Sequence, residues 1–284
     1  MRMRTIKASA IATVAALGLA TPAIAQDANG DRHFDGPYVG GSFGFGVQPN
    51  DVGETVVFDR NLDGNFNDTI VTSGGANAFA PGFCNGNNRG SATPAGGCDN
   101  DRDAIEYFAR VGWDKQFGNF VIGAMGEFGR SQVRDSVTAY SSTPAFYTFN
   151  REFDWNASIR GRVGYAAGGR TLFYAAGGPA YAQIDNSFET SNTANSFESN
   201  GGKSNSWGYT AGGGVEQKIG RNISLGLEYM YNDYVDDDYV VSVGQGTAPA
   251  TNPFLLGNAA GSDLRRSDDN FRFHSIRATA ALRF

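Results

Sequence analysis

Cysteine and histidine are nearly absent from this chain, 2 of each in 284 residues, which leaves almost nothing from which to build a zinc site or a redox relay. Charge is sparse at 18% of residues and acidic in balance, with 29 Asp and Glu against 23 Lys and Arg for a net −6. A nucleic-acid binder would carry a basic face, so no nucleic-acid partner is expected. Beyond the first two dozen residues no apolar run reaches the length of a spanning helix. What is plentiful is glycine, 39 residues, together with 13% aromatics. Glycine at about twice its ordinary usage, with no Gly-X-Y period and with many aromatics, fits neither collagen nor a disordered chain. It fits many short strands and turns.

The first segment reads as an export signal. Arg2, Arg4 and Lys7 form a positive region, Ala8 to Ala20 is small and apolar, and Ala23-Ile24-Ala25 is a small-residue cleavage site, so residues 1–25 are expected to be removed before Gln26. A membrane anchor is the alternative, but the stretch is short, Pro22 interrupts its end and no stop-transfer charges follow. Residues 26–37 would form a short periplasmic lead. A mature chain of this kind enters a membrane only as a closed set of strands, because hydrocarbon leaves no other partner for backbone N–H and C=O groups.

Period-two alternation runs through eight segments. At the C-terminus His274, Ile276, Ala278, Ala280, Leu282 and Phe284 share one face, opposite Ser275, Arg277, Thr279, Ala281 and Arg283. Ile223, Leu225, Leu227, Tyr229 and Tyr231 repeat the pattern, as do Phe153, Trp155, Ala157, Ile159, Gly161, Val163 and Tyr165. Five further segments follow it at 38–47, 105–114, 119–129, 171–185 and 206–219, the fourth with Leu172, Tyr174 and Ile184 on its apolar face. None of these apolar faces carries Asp, Glu, Lys or Arg, whereas the opposite faces are rich in them. A soluble sandwich would place its charges outside; a lipid-facing Lys or Arg at the midplane costs about 2–4 kcal/mol, so this inversion points to lipid outside and a polar interior.

Connections alternate too. Short turns fall at Gly118-Asn119, Gly168-Gly169-Arg170 and Gly220-Arg221-Asn222, and long connections at 48–103, 130–152, 186–205 and 232–270. Bacterial outer-membrane barrels have short periplasmic turns, long outer loops and an even strand number. The expected fold is all-β, an eight-stranded antiparallel up-and-down transmembrane β-barrel, in the outer membrane of a Gram-negative bacterium.

The closing strand Ile276-Arg277-Ala278-Thr279-Ala280-Ala281-Leu282-Arg283-Phe284 and the preceding Gly-Val-Glu-Gln-Lys-Ile-Gly run at 214–220 resemble the small eight-stranded outer-membrane β-barrel family, the porin-family or OmpA-like transmembrane group, across 38–284. The resemblance implies that Phe284 and the apolar face behind it are read by the barrel-assembly machinery. An OmpA-type peptidoglycan-binding domain is not expected in this chain.

An eight-stranded barrel is just wide enough for side chains to fill it. The acids Glu106, Asp114, Glu127, Asp154, Asp185, Glu216 and Glu228 and the bases Arg110, Arg160, Arg162, Lys218, Arg277 and Arg283 are expected to pair across the lumen. The resulting plugged barrel would have a structural or surface-interaction role, with outer-membrane lipid around it. A narrow porin-like channel and a loop-borne adhesin or ligand receptor are the alternatives. In the first long loop Asp59, Asn61, Asp63, Asn65 and Asn67 set oxygen donors at alternate positions around Gly64, as a calcium loop does, but Ile70 stands where a bidentate Glu belongs. A series of Asx turns explains the same residues. Cys84 and Cys98 lie in that loop, in an oxidising compartment, and are expected to form a disulfide. No catalytic residues are expected: His274 and Ser275 are neighbours on a strand and point to opposite faces.

Overall fold

The computed structural model describes residues 33–49 and 53–284; the export signal lies outside them. Eight long strands follow one another with neighbour pairing: β1 Gly36–Val47, β2 Ala104–Phe117, β3 Phe120–Ser131, β4 Ala145–Ala167, β5 Thr171–Thr190, β6 Lys203–Lys218, β7 Ile223–Val235 and β8 Asn270–Arg283. Every pair is antiparallel, and the first strand meets the last from Tyr38↔Arg283 to Val47↔His274, so the sheet closes on itself. Among the described residues no helix is long and apolar enough to cross a membrane. Positive φ at Gly118 (60°), Gly168 (57°) and Gly169 (74°) lets the short turns close tightly.

Exposure is inverted relative to a soluble protein. Val111, Trp113, Ile122, Ile159, Val163, Leu225 and Ile276 are exposed on the outer wall, while Glu106, Asp114, Arg160 and Glu228 are buried inside. Towards the long-loop end the outer wall carries a run of touching rings from Phe128 through Trp155 and Tyr181 to Trp207, with centroid separations of 5.7, 5.7 and 5.0 Å. Towards the short turns Trp113, Phe117, Phe120, Tyr165, Phe173 and Phe284 form the opposite girdle, all exposed. Aromatic belts at both interfaces bracket the apolar band of a membrane barrel.

Two of the expected faces are reversed. In β5 Leu172 and Tyr174 are buried and Phe173 is 55% exposed. From Leu172 to Ala182 both faces of this strand are apolar or small, so polarity does not set its phase. The register does: Tyr174 lies between Gly164 of β4 and Gly214 of β6, and the absent side chains of those glycines leave room for the inward ring. The second reversal is a β-bulge. The pairing steps from Gln183↔Trp155 to Ile184↔Phe153 and leaves Asp154 as an extra residue. Phe153 therefore turns inward and Asp154 outward, while Ile184 and Asp185 follow the phase that buries Tyr174 and exposes Phe173; Lys203 pairs with both acids on the outer side. They do not belong to the lumen.

The long connections are also more ordered than loops. β4 has 23 residues and β5 has 20, against the roughly 9–11 that a tilted strand needs to cross a bilayer. Beyond the band, short strands drawn from three connections, Ser196–Ser199, Val241–Gly244, Ser262–Arg266 and Val56–Asp59, form a separate four-stranded sheet in that order. Phe58 and Leu264 of this sheet are buried in one cluster with Phe79, Tyr147, Phe149 and Phe254, with Phe79 and Phe58 centroids 4.5 Å apart and Tyr147 and Phe254 5.8 Å apart. Each such ring buried contributes about 1.5–3 kcal/mol, so the projecting end has a core of its own.

Candidate functional site

The inward faces of the strands bring the lumen charges into two layers of balanced charge. Nearer the long loops, Arg277 donates through Nε to Glu106 (2.7 Å) and through Nη1 to Glu127 (2.6 Å). Arg110 reaches Glu127 and Glu228 at 2.8 and 3.1 Å, and Arg160 bonds the same two carboxylates. Tyr174 hydroxyl donates to Glu228 at 2.8 Å and Ser275 hydroxyl to Glu106 at 2.9 Å. Three guanidinium groups thus meet three carboxylates. Nearer the short turns, Arg162 and Arg283 both bond Asp114 and Glu216, with Arg283 at 2.7 and 2.6 Å. The planar fork of arginine suits this sharing, since one guanidinium can address two carboxylates at once.

Besides Asp154 and Asp185, Lys218 lies outside these two layers: its Nζ donates to the His33 carbonyl at 2.9 Å, at the short-turn end. The adjoining Phe34, expected in a periplasmic lead, is fully buried; its N–H donates to Gln116 Oε1 at 2.9 Å and Arg283 lies 4.9 Å over its ring. At the other end the ionic layers are covered by Phe153, Tyr234, Phe271 and Phe273, with Phe153 4.7 Å from Phe271 and 4.9 Å from Tyr234.

Above that apolar layer sits a second ionic junction that sequence reasoning missed. Arg266 grips Glu54 in bidentate fashion at 2.7 and 2.8 Å and pairs with Asp135 at 2.9 Å, while Arg151 Nε donates to Asp135 at 2.7 Å. The Asp101 carboxylate accepts the Ser136 N–H at 2.8 Å. Burial pushes the Glu54 carboxyl up to about 7 against the pull of Arg266, and burial reinforced by Asp135 raises Asp101 to about 7. For Asp135 burial pushes upward, but Arg266 and Arg151 pull harder and leave it below the usual carboxylate range. The available signal was Asp135 enclosed by Val133 and Val137 in a strand of alternating pattern.

Cys84 and Cys98 are joined, with Cα atoms 6.3 Å apart. The Asp59–Asn67 segment folds on its own side chains: Asp59 oxygens accept the N–H groups of Asp63 (3.1 Å) and Gly64 (2.7 Å), Asn61 Oδ1 accepts that of Asp63 (3.1 Å), and Asp63 Oδ1 accepts that of Asn65 (2.9 Å). Asn67 is exposed beside it. Among the described residues no group of three or more His, Cys, Asp or Glu side chains is placed to hold a metal. His274 and Ser275 separate as expected. His274 Nδ1 is 2.6 Å from Tyr229 hydroxyl on the outer wall, and Ser275 lies buried against Glu106. Phe284 is 67% exposed on the outer wall, its N–H donating to the Pro37 carbonyl at 3.0 Å.

No family model matches the chain. A 22 kDa outer membrane protein of Rhizobium leguminosarum bv. viciae is 33% identical over 146 residues, 51% of this chain and 60% of that protein. A 31 kDa outer-membrane immunogenic protein of Brucella melitensis biotype 1 is 31% identical over 125 residues, 44% of this chain and 51% of that protein. The matched region thus spans a little over half the length of these relatives. Among solved structures, the outer membrane protein OprG of Pseudomonas aeruginosa is 10% identical with a TM-score of 0.48, covering 89% of this chain and 98% of that one. The outer membrane protease OmpT of Escherichia coli is 12% identical with a TM-score of 0.38, covering 88% and 97%. Closure of eight antiparallel strands, an apolar outer wall around buried ions, and relatives that are themselves outer-membrane proteins make this chain a small eight-stranded outer-membrane β-barrel protein.

Proposed function

We propose that this barrel is closed to solutes and serves a structural and surface-interaction role, with its short turns in the periplasm and its long connections outside the cell. The observation that carries the reading is the stacking of layers along the lumen. Phe34, two ionic layers, the Phe153–Tyr234–Phe271–Phe273 cluster and the Arg266–Asp135–Arg151 junction follow one another, and all of these side chains are buried. Opening a path would separate guanidinium groups from the buried carboxylates that they bond, and breaking a buried pair costs about 3–5 kcal/mol. Planar-bilayer recordings of the purified barrel are expected to give no stable openings; sustained nanosiemens-scale steps would overturn the closed reading.

The folded sheet outside the band supplies the surface that such a role needs. Phe188, Phe197 and Tyr239 line a groove of about 420 Å³ together with Ser187, Thr190 and Ser199, which supports a receptor or adhesin contact on the loops rather than in the lumen. The immunogenic description of the Brucella relative is in keeping with an outward-facing sheet. A non-enzymatic role is supported by the separation of His274 from Ser275. The exposed aromatic end of β8 suits recognition of Phe284 by the assembly machinery.

A further inference from the structure

We propose that the outer wall of β2–β4, just beyond the aromatic run on the long-loop side, binds the phosphate of an outer-leaflet lipid headgroup through Arg102, Arg130 and Arg134. Arg130 lies two residues past Phe128 on β3, on the same outward face, with its side chain 49% exposed. Arg102 and Arg134 are cross-strand partners: Arg102 N–H donates to the Arg134 carbonyl at 2.9 Å and Arg134 N–H returns the bond at 3.2 Å. Residues paired in this way project from the same face, so two cations stand side by side, an arrangement that is unfavourable in isolation. Arg102 is exposed and, among the described residues, has no carboxylate within ion-pair reach.

The neighbouring acids do not resolve this. Arg134 shares Glu152 and Arg130 shares Asp154, Lys203 divides itself between Asp154 and Asp185, and Asp101 and Asp103 beside Arg102 accept from the Ser136 and Gln48 N–H groups, so Arg102 is the cation of this patch left without a paired carboxylate among the described residues. The patch sits at the depth where headgroups meet a barrel, directly past its interfacial rings. Arginine forks match phosphate oxygens bidentately, and basic clusters at a membrane surface recognise anionic headgroups. The inference rests on the proposed orientation of the barrel and is independent of whether the lumen is closed.

The test uses the full barrel reconstituted in phosphatidylcholine vesicles containing either bisphosphorylated lipid A or its dephosphorylated form, extracted in detergent, with lipid retained per barrel measured by mass spectrometry. Retention of the phosphorylated form is expected to exceed that of the dephosphorylated form, and to fall about fivefold for each arginine removed. Arg102→Gln breaks no ion pair, so its effect is read on an intact fold. Glu152→Gln with Asp154→Asn should raise retention by freeing Arg134 and Arg130. Equal retention of the two lipids, an unchanged Arg102→Gln protein, or a loss on removing the acids would overturn the proposal.

Discussion

Arg277 and Glu127 meet across the lumen, Nη1 to Oε1 at 2.6 Å, from β8 and β3, strands separated in the wall by β1 and β2. The bond ties opposite parts of the cylinder, and Glu127 is shared with Arg110 and Arg160 as well. Glu127→Ala leaves three guanidinium groups with the two carboxylates Glu106 and Glu228. The expected cost is about 3–5 kcal/mol, read as a lower temperature at which the folded band of unboiled gels converts to the unfolded one. An unchanged conversion temperature would mean that the layer does not brace the wall.

How much of this arrangement the sequence discloses depends on the contrast between faces. β7 and β8 set Leu225, Leu227 and Ile276 against Glu228 and Arg277, and there the alternation alone gives strand, face and lumen membership. In β5 the run Thr-Leu-Phe-Tyr-Ala-Ala-Gly-Gly offers no such contrast, and the phase comes from glycines on neighbouring strands. The bulge at Asp154 is a property of pairing with β5 and has no local marker. Which arginine meets which carboxylate is likewise set by register across the lumen. The outer sheet is built from strands of four or five residues contributed by three connections, too short to stand out as periodic segments.

The Cys84–Cys98 bond closes a segment with a sequence separation of 14, for which about 3 kcal/mol of stabilisation is expected. Intact-mass measurement after alkylation without reductant should find no added label, and reduction should lower the thermal midpoint of the projecting end, where Gly82–Asn85 pairs with Arg134–Ser141, while the barrel band in gels persists. Two labels added without reductant would contradict the bond.

The Arg266 junction gives the projecting sheet a pH dependence. Glu54 and Asp101, both near 7 in the folded protein, bind a proton more tightly there than in an unfolded chain, where a carboxyl sits near 4. Their contribution is therefore fully present at acid pH and is lost as pH rises through about 7. The near-UV melting midpoint of the purified protein should fall between about pH 4 and pH 7 and level off above that, and Glu54→Gln should flatten that fall. A midpoint that rises over the same interval would refute the assignment.

The most direct measurement is collision accessibility of single spin labels in a lipid bilayer, at Phe173, Leu225 and Ile276 on one set and at Tyr174, Glu228 and Arg277 on the other. The account predicts that the first set collides with dissolved oxygen at the depth of acyl chains, and that the second is shielded from both oxygen and a water-soluble nickel chelate. Labels at Phe173, Leu225 and Ile276 that are shielded, with those at Glu228 and Arg277 open to lipid or bulk water, would contradict it.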